Sequence, residues 1–391
     1  MRRVLTLVAL YLLLPFPVMA TSGASVDDLR RPVPPEMASN EVFTPEQFGA
    51  VGDGRTDDTA GVQRALEEAA SRGARVVLAR DRTYLCAEAI DLPSGSHLSG
   101  HGPTSVLRFT WTENGPTTDG YYVGNEDQMS GNHDIVMDNF AIRGAGSGLP
   151  SGPQVTRDLP RVPGIRLRLV ERFRITRLDV SRVAGISVLY QGASEGVITS
   201  NYVHDAGRDG ITGTWHKRNL AHIVIKRNRM ERIGDDGIAL VGAPGQLPNT
   251  SQLPTDLVVR GNTILGWDKN PNGLLLGRGI VVLAGRRVVI EDNLIDRTHS
   301  NGILVAGSTR DFSVDPATGE TWRSSDILVV NNRVVGAAQN SPGSLPVTAH
   351  EDAREAVLVK HSERVDLVGN VIEDPYGRAV SFVDCTDCSD R

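Results

Sequence analysis

The sequence predicts an all-β solenoid, a chain wound into stacked coils of short strands. Three observations carry this. Alternating apolar runs, mostly β-branched, recur along the chain, among them Ile223-Val224-Ile225, Leu257-Val258-Val259, Val288-Val289-Ile290 and Leu328-Val329-Val330; this is strand composition. An asparagine stands in one frame of this repeat, at Asn201, Asn228, Asn262, Asn293, Asn332 and Asn370, with intervals of 27, 34, 31, 39 and 38 residues. Such a period is one supersecondary unit long. Aromatic residues are 5% of the chain and glycines number 41, which suits many turns and thin layers better than packed helices.

The asparagine frame has a physical reading. Stacked strands lie about 4.8 Å apart, so an amide at each equivalent turn can donate and accept along the stack. The column is therefore expected to be structural. Two earlier units, around Met137-Phe140-Ile142 and Ile175-Leu178-Val180, carry apolar residues where the asparagine would be. Unequal intervals imply loops of unequal length, the longest at 144–163, 242–254, 307–325 and 337–354. In solenoids such insertions build the walls of a binding face.

At the N-terminus, Arg2 and Arg3 precede an apolar run from Val4 to Val18, and Val18-Met19-Ala20 is a small-x-small cleavage signal. Residues 1–20 are read as a signal peptide, 21–42 as a proline-containing linker and 43–391 as the solenoid domain. An uncleaved anchor is the alternative reading. No later stretch has about 18 consecutive apolar residues, so stable membrane insertion is not expected. The chain is expected to be secreted or periplasmic. Its 41 basic against 47 acidic residues, net -6, disfavour a nucleic-acid partner. Cys385 and Cys388 are expected to form a small terminal disulfide in an exported protein, with Cys86 a buried thiol. The oligomeric state is left open.

The first landmark runs Phe48-Gly49-Ala50-Val51-Gly52-Asp53-Gly54, then Thr56-Asp57-Asp58-Thr59, then a helix with Val62, Ala65, Leu66, Ala69 and Ala70 on one face. The Thr56–Thr59 stretch supplies an expected N-cap and acidic first turn; a calcium loop is the other reading of these acids. Short strands are expected at 76–78 and 83–85. From Phe48 to Ala65 the chain resembles the N-terminal signature of the pectate-lyase-like superfamily, FGAVGDGxTDDTxAxQxA, with Gly61 where alanine is commoner. The resemblance implies a single-stranded right-handed parallel β-helix whose N-terminal end is capped by this α-helix. Hydrolases, lyases, epimerases and tailspikes all carry the signature, so it fixes no reaction.

The chemistry is expected on Asp209, Asp235 and Asp236. Asp209-Gly210-Ile211 and Asp236-Gly237-Ile238 are in register on successive units, and the frame returns at Gly277-Arg278-Gly279-Ile280 and Asn301-Gly302-Ile303. Clustered carboxylates repel, which raises at least one pKa toward the working pH. An acid is then poised beside a base, the pairing that glycoside hydrolysis uses. Asp before Gly is also a common turn dipeptide, so a solvated turn or a calcium site from the same carboxylates remains a competing reading.

The arrangement resembles the polygalacturonase family of glycoside hydrolases. Asp209 matches the aspartate of that family's Asn-Thr-Asp-Gly, and Asp235-Asp236 matches Asp-Asp-Cys with Gly237 for the cysteine. Gly277-Arg278-Gly279 matches Gly-His-Gly with Arg278 for the histidine, and Leu304-Val305-Ala306 stands where Arg-Ile-Lys is expected. By resemblance Asp235 is the acid, and Asp209 with Asp236 activates water. Arg278 is read as substrate-binding or as a salt-bridge partner of Asp236. Trp215, His216, Lys217 and Trp267 are read as substrate-binding loop residues, the tryptophans stacking on sugar faces or filling loop cores. The expected substrate is a polysaccharide, acidic in character, hydrolysed without a cofactor. The alternatives are a lyase or uronate C5-epimerase, with Ca²⁺ and Arg278, Lys217 or Lys226, and a non-catalytic glycan-binding solenoid.

Overall fold

A computed structural model describes residues 32–35, 40–111, 120–146, 162–242, 253–266, 277–307, 322–339 and 355–391. The expected signal peptide, most of the linker and Trp267 lie outside these.

Each coil contributes three strands. Those of the first face are Ile165–Arg168, Val188–Gln191, Ile211–Thr214, Ile238–Val241, Ile280–Leu283 and Ile303–Ala306, paired in parallel one on the next. The second face stacks Glu171–Thr176, Ser194–Thr199, Ala221–Lys226, Thr255–Arg260, Arg286–Glu291 and Ser324–Val330. The third stacks Asp179–Ser181, Tyr202–Ala206, Arg229–Ile233, Thr263–Leu265, Leu294–Asp296 and Arg333–Val335. The first two faces join in one 21-stranded sheet, and the third is an 11-stranded sheet. A parallel β-helix results, with one continuous core. Register fixes the core: Ile211, Ile238, Ile280 and Ile303 stack at one position and are fully buried, each worth roughly 1.5–3 kcal/mol of burial.

The asparagine column lies between the second and third faces. The Nδ2 of Asn262 donates to Ile225 C=O at 3.0 Å and to Asn293 Oδ1 at 3.0 Å, and its Oδ1 accepts from the Asn228 backbone N–H at 2.9 Å. The same linkage runs from Asn201 to Asn370. One rung earlier Leu178 takes the position, donating its N–H to Asn201 Oδ1.

A second column, at the corner of the first and second faces, was not foreseen. Asp134, Arg172, Glu195, His222, Asp256, Arg287, Asp326 and Arg364 are equivalent residues, all in the left-handed region. Carboxylates alternate with basic side chains up this column. Arg172 grips Asp134 at 2.8 and 2.7 Å, and Arg364 grips Asp326 at 2.6 and 3.1 Å. Placing opposite charges one coil apart offsets the crowding of a charged corner.

Helix Thr59–Ser71 covers the N-terminal end, burying Val62, Ala65, Leu66 and Ala69. No acid stands in the helix's first turn, and within the expected capping stretch it is Asp57 that takes the Thr59 N–H, at 3.1 Å on Oδ1. Asp58 stands at the N-cap but makes no side-chain cap bond. Its carboxylate instead takes the backbone N–H groups of Val51 at 2.5 Å and Gly52 at 3.0 Å, locking the preceding loop. Gly61 is explained by contact: a Cβ there would lie 2.7 Å from the Ala50 nitrogen. Gln63 then ties the helix to the first coils by exchanging hydrogen bonds with the Asp91 backbone, both at 3.0 Å. Cys385 and Cys388 are bridged and Cys86 is a buried free thiol. Among the described residues no helix is long and apolar enough to cross a membrane.

Candidate active site

The turn between the third and first faces carries the acids. Register places Asp209, Asp236, Arg278, Asn301 and Glu355 at one position on five successive coils, and Arg208, Asp235, Gly277 and Ser300 one residue earlier. The glycine after each acid is not there for a left-handed turn. A Cβ on Gly210 would meet Gly237 C=O at 2.6 Å, and one on Gly237 would meet Gly279 C=O at 2.8 Å. These glycines let consecutive coils close, so the N–H of Gly210 reaches Asp236 C=O and that of Gly237 reaches Arg278 C=O, both at 2.9 Å.

Coil closure brings one carboxylate oxygen from each of Asp209, Asp235 and Asp236 within 4.8 Å of the others. Asp209 and Asp236 are each 5% exposed. Asp209 accepts the Thr212 hydroxyl at 2.8 Å on Oδ2, while its Oδ1 is buried without a partner. Asp235 also keeps a buried, unpartnered Oδ1. Asp236 is held differently: Arg278 donates to both of its oxygens, at 2.6 and 2.9 Å. Arg278, read from the sequence as substrate-binding or as a salt-bridge partner of Asp236, makes that salt bridge.

Electrostatics follow from this packing. Burial, reinforced by the Asp235 charge, pushes Asp209 up to about 6. Burial and the Asp236 charge push Asp235 up to about 6 as well. Burial also raises Asp236, but Arg278 opposes the rise. Ala239, Val281, Leu283, Leu304, Ala306 and Leu358 form a second apolar cluster apart from the core, on the outward side of strands whose alternate residues face in. Leu304 and Ala306, where the resemblance expected Arg and Lys, belong to it. Such an arrangement can hold one carboxyl protonated beside another that is ionised.

Other expected residues lie elsewhere. Trp215, His216 and Lys217 follow strand Ile211–Thr214, at its opposite end from Asp209, roughly 20 Å along an extended chain. Lys217 donates its ammonium to Met129 C=O, and His216 exchanges backbone hydrogen bonds with Arg218. Lys226 ends strand Ala221–Lys226 on the second face. His204 is on the third face, between Asp205 at 2.6 Å and Asp179 at 3.1 Å, stacked on Tyr202 with ring centroids 4.2 Å apart.

Sequence reasoning missed Arg208. Its charge lowers all three acids. The signal was available, since register puts position 208 directly against 235.

Comparison with known proteins agrees with the fold. The family model "Right handed beta helix region" matches residues 163–318. No curated protein sequence matches. Among solved structures, the Family 28 exopolygalacturonase of Yersinia enterocolitica is 13% identical, with TM-score 0.56 over 90% of this chain and 78% of its own. The A-module of the Azotobacter vinelandii mannuronan C-5 epimerase AlgE4 is 16% identical, with TM-score 0.51 over 88% and 97%. The Streptococcus pneumoniae surface adhesin PfbA is 13% identical, with TM-score 0.54 over 89% and 91%. A hydrolase, an epimerase and an adhesin thus share this coil, and at such identity the likeness carries the fold alone. By signature, by coil register and by these likenesses, the chain is a right-handed parallel β-helix protein.

Proposed function

We propose that this chain is an exported carbohydrate-active enzyme that hydrolyses glycosidic bonds of an acidic polysaccharide. One observation carries the reading: three carboxylates from adjacent coils meet within 4.8 Å, and two of them keep a buried, unpartnered oxygen. In the reaction, Asp235 with its raised pKa gives a proton to the leaving glycosidic oxygen. Asp236, held as an anion by Arg278, takes the proton of the attacking water, and Asp209 orients that water. The protons balance, since one is donated and one is accepted per bond cleaved. The names of two similar structures, an exopolygalacturonase and a mannuronan C-5 epimerase, agree with a polysaccharide substrate.

A calcium-assisted elimination fits the residues less well. Calcium wants six to eight oxygens, and both oxygens of Asp236 already serve Arg278. Lys217 and Lys226, the lysines considered as bases, lie away from the acids. No cofactor enters this scheme.

The test is a panel of purified acidic polysaccharides, assayed together for new reducing ends and for unsaturated products. Reducing ends alone are expected, with turnover lowered at least about 100-fold in Asp235→Asn and Asp236→Asn. Unsaturated product, or full activity in both variants, would overturn the hydrolase reading. Binding without any product would make the chain a glycan-binding solenoid.

A further inference from the structure

The acid–base reading leaves one charged group beside the trio without a task. Arg208 occupies the turn position directly before Asp209, and Asp235 is its equivalent on the next coil: the Gly234 and Asp235 N–H groups both approach Arg208 C=O, at 3.1 and 3.4 Å. Side chains at equivalent positions of stacked coils leave the backbone in the same direction. The guanidinium and the Asp235 carboxylate therefore rise from one strip of the turn.

Arg208 nevertheless makes no side-chain hydrogen bond or ion pair with any described residue, and its Nε is buried and unpartnered. Arg278, one column over, shows what a neutralising arginine does here, since it closes on both oxygens of Asp236. A partly buried guanidinium with an unmet Nε donor is costly to keep. Its planar fork matches a carboxylate bidentately, and an ammonium would not.

We propose that Arg208 is the specificity-determining residue of this site, holding the carboxylate of an acidic sugar unit against Asp209 and Asp235. The location rests on the hydrolase reading, and the anion-binding role rests on Arg208 itself. Local charge favours it under acid conditions. Asp209 and Asp235 are each pushed up to about 6. Below that pH the protonated pair leaves Asp236, Arg278 and Arg208, a net single positive charge. Above it the ionised pair would repel an anionic ligand. The binding form of the site is thus also the form whose acid is protonated.

The test separates binding from turnover. Galacturonate, glucuronate and mannuronate trimers, and their carboxyl-reduced counterparts, are titrated calorimetrically into folded Asp235→Asn protein near pH 5. At least one uronate trimer is expected to bind. Adding Arg208→Gln should weaken that trimer about 30-fold and leave its carboxyl-reduced form within about twofold, while Arg208→Lys restores part of the loss. If Arg208→Gln fails to fold, Arg208→Lys carries the comparison, with the acidic trimer weakened and the reduced one not. Equal weakening of acidic and reduced trimers, or no uronate binding at all, overturns the inference. Cleavage of neutral glycans only would also overturn it while leaving the hydrolase reading standing; uronate binding lost with Arg208 in a protein that never hydrolyses would do the reverse.

Discussion

Arg278 reaches back one coil and closes on both oxygens of Asp236, Nε to Oδ1 at 2.6 Å and Nη2 to Oδ2 at 2.9 Å. This pair divides the three acids into two kinds, one carboxylate held as an anion and two left to burial and to each other.

Breaking that pair strands a buried charge. Arg278→Gln is expected to lose about 3 kcal/mol of stability, the lower end for removing one partner of a buried ion pair. The double variant with Asp236→Asn should recover most of it, because no unpaired charge remains. Chemical denaturation of both variants checks this; losses that simply add would show that the pair is not coupled.

Asp235 works against the fold. Its pKa in the folded protein, about 6, lies above the ordinary 3.8. The native state therefore binds more protons than the unfolded chain between these values, and stability falls as pH rises from about 4 to about 6. Asp235→Asn removes that loss. Melting temperature should rise at pH 7, by an amount equivalent to about 3 kcal/mol, and change little at pH 4. An equal shift at both pH values would place Asp235 in a different environment.

His204 should also lose stability as pH rises, but in a higher window and as the loss of a favourable contact. Burial lowers its pKa, but hydrogen bonds and charge from Asp179 and Asp205 outweigh this and raise it above the ordinary 6.5. Its stabilisation is complete below about 6.5 and fades as pH climbs through the raised value. His204→Gln should flatten the melting curve across that window, measured against the wild-type protein in the same buffers.

The asparagine column should fail as structure and not as chemistry. Asn262→Ala leaves Ile225 C=O, the Asn228 N–H and Asn293 Oδ1 short of partners. A loss of about 2–3 kcal/mol is expected. Once folded, the variant should keep its turnover. Unchanged melting with lost activity would show that the column serves the site.

Gly61→Ala tests the N-terminal cap. The added Cβ would sit 2.7 Å from the Ala50 nitrogen, against backbone that cannot swing aside. Overpacking of this kind costs about 1–3 kcal/mol. The gain in helix propensity, about 1 kcal/mol, offsets only part of it. A thermal melt decides; a more stable variant would mean that the helix is free to shift.

The sequence by itself determined the coil. Strand alternation and the asparagine frame are local, one-dimensional patterns. Parallel pairing turns a repeated pattern directly into a stack, so Asp209, Asp235 and Asp236 could be set on neighbouring turns by counting from Ile211 and Ile238. The glycine after each acid was legible as a residue but not as a cause. It reads as a turn former in the chain, and only the stacked carbonyl 2.6 Å from where a Gly210 Cβ would stand shows that it makes room. Tertiary structure alone decided what the charges do. Asp58, within the stretch expected to cap the helix, clasps the Val51–Gly52 loop. Trp215 follows Asp209 by six positions, yet an extended strand carries it to the far edge of the face. Arg208 and Arg278 belong to the same turn on different coils; Arg278 is consumed by Asp236, whereas the Arg208 side chain pairs with none of the described residues. Ion pairs and desolvation depend on distances between coils and on what excludes water from them, and neither is a property of neighbours along the chain.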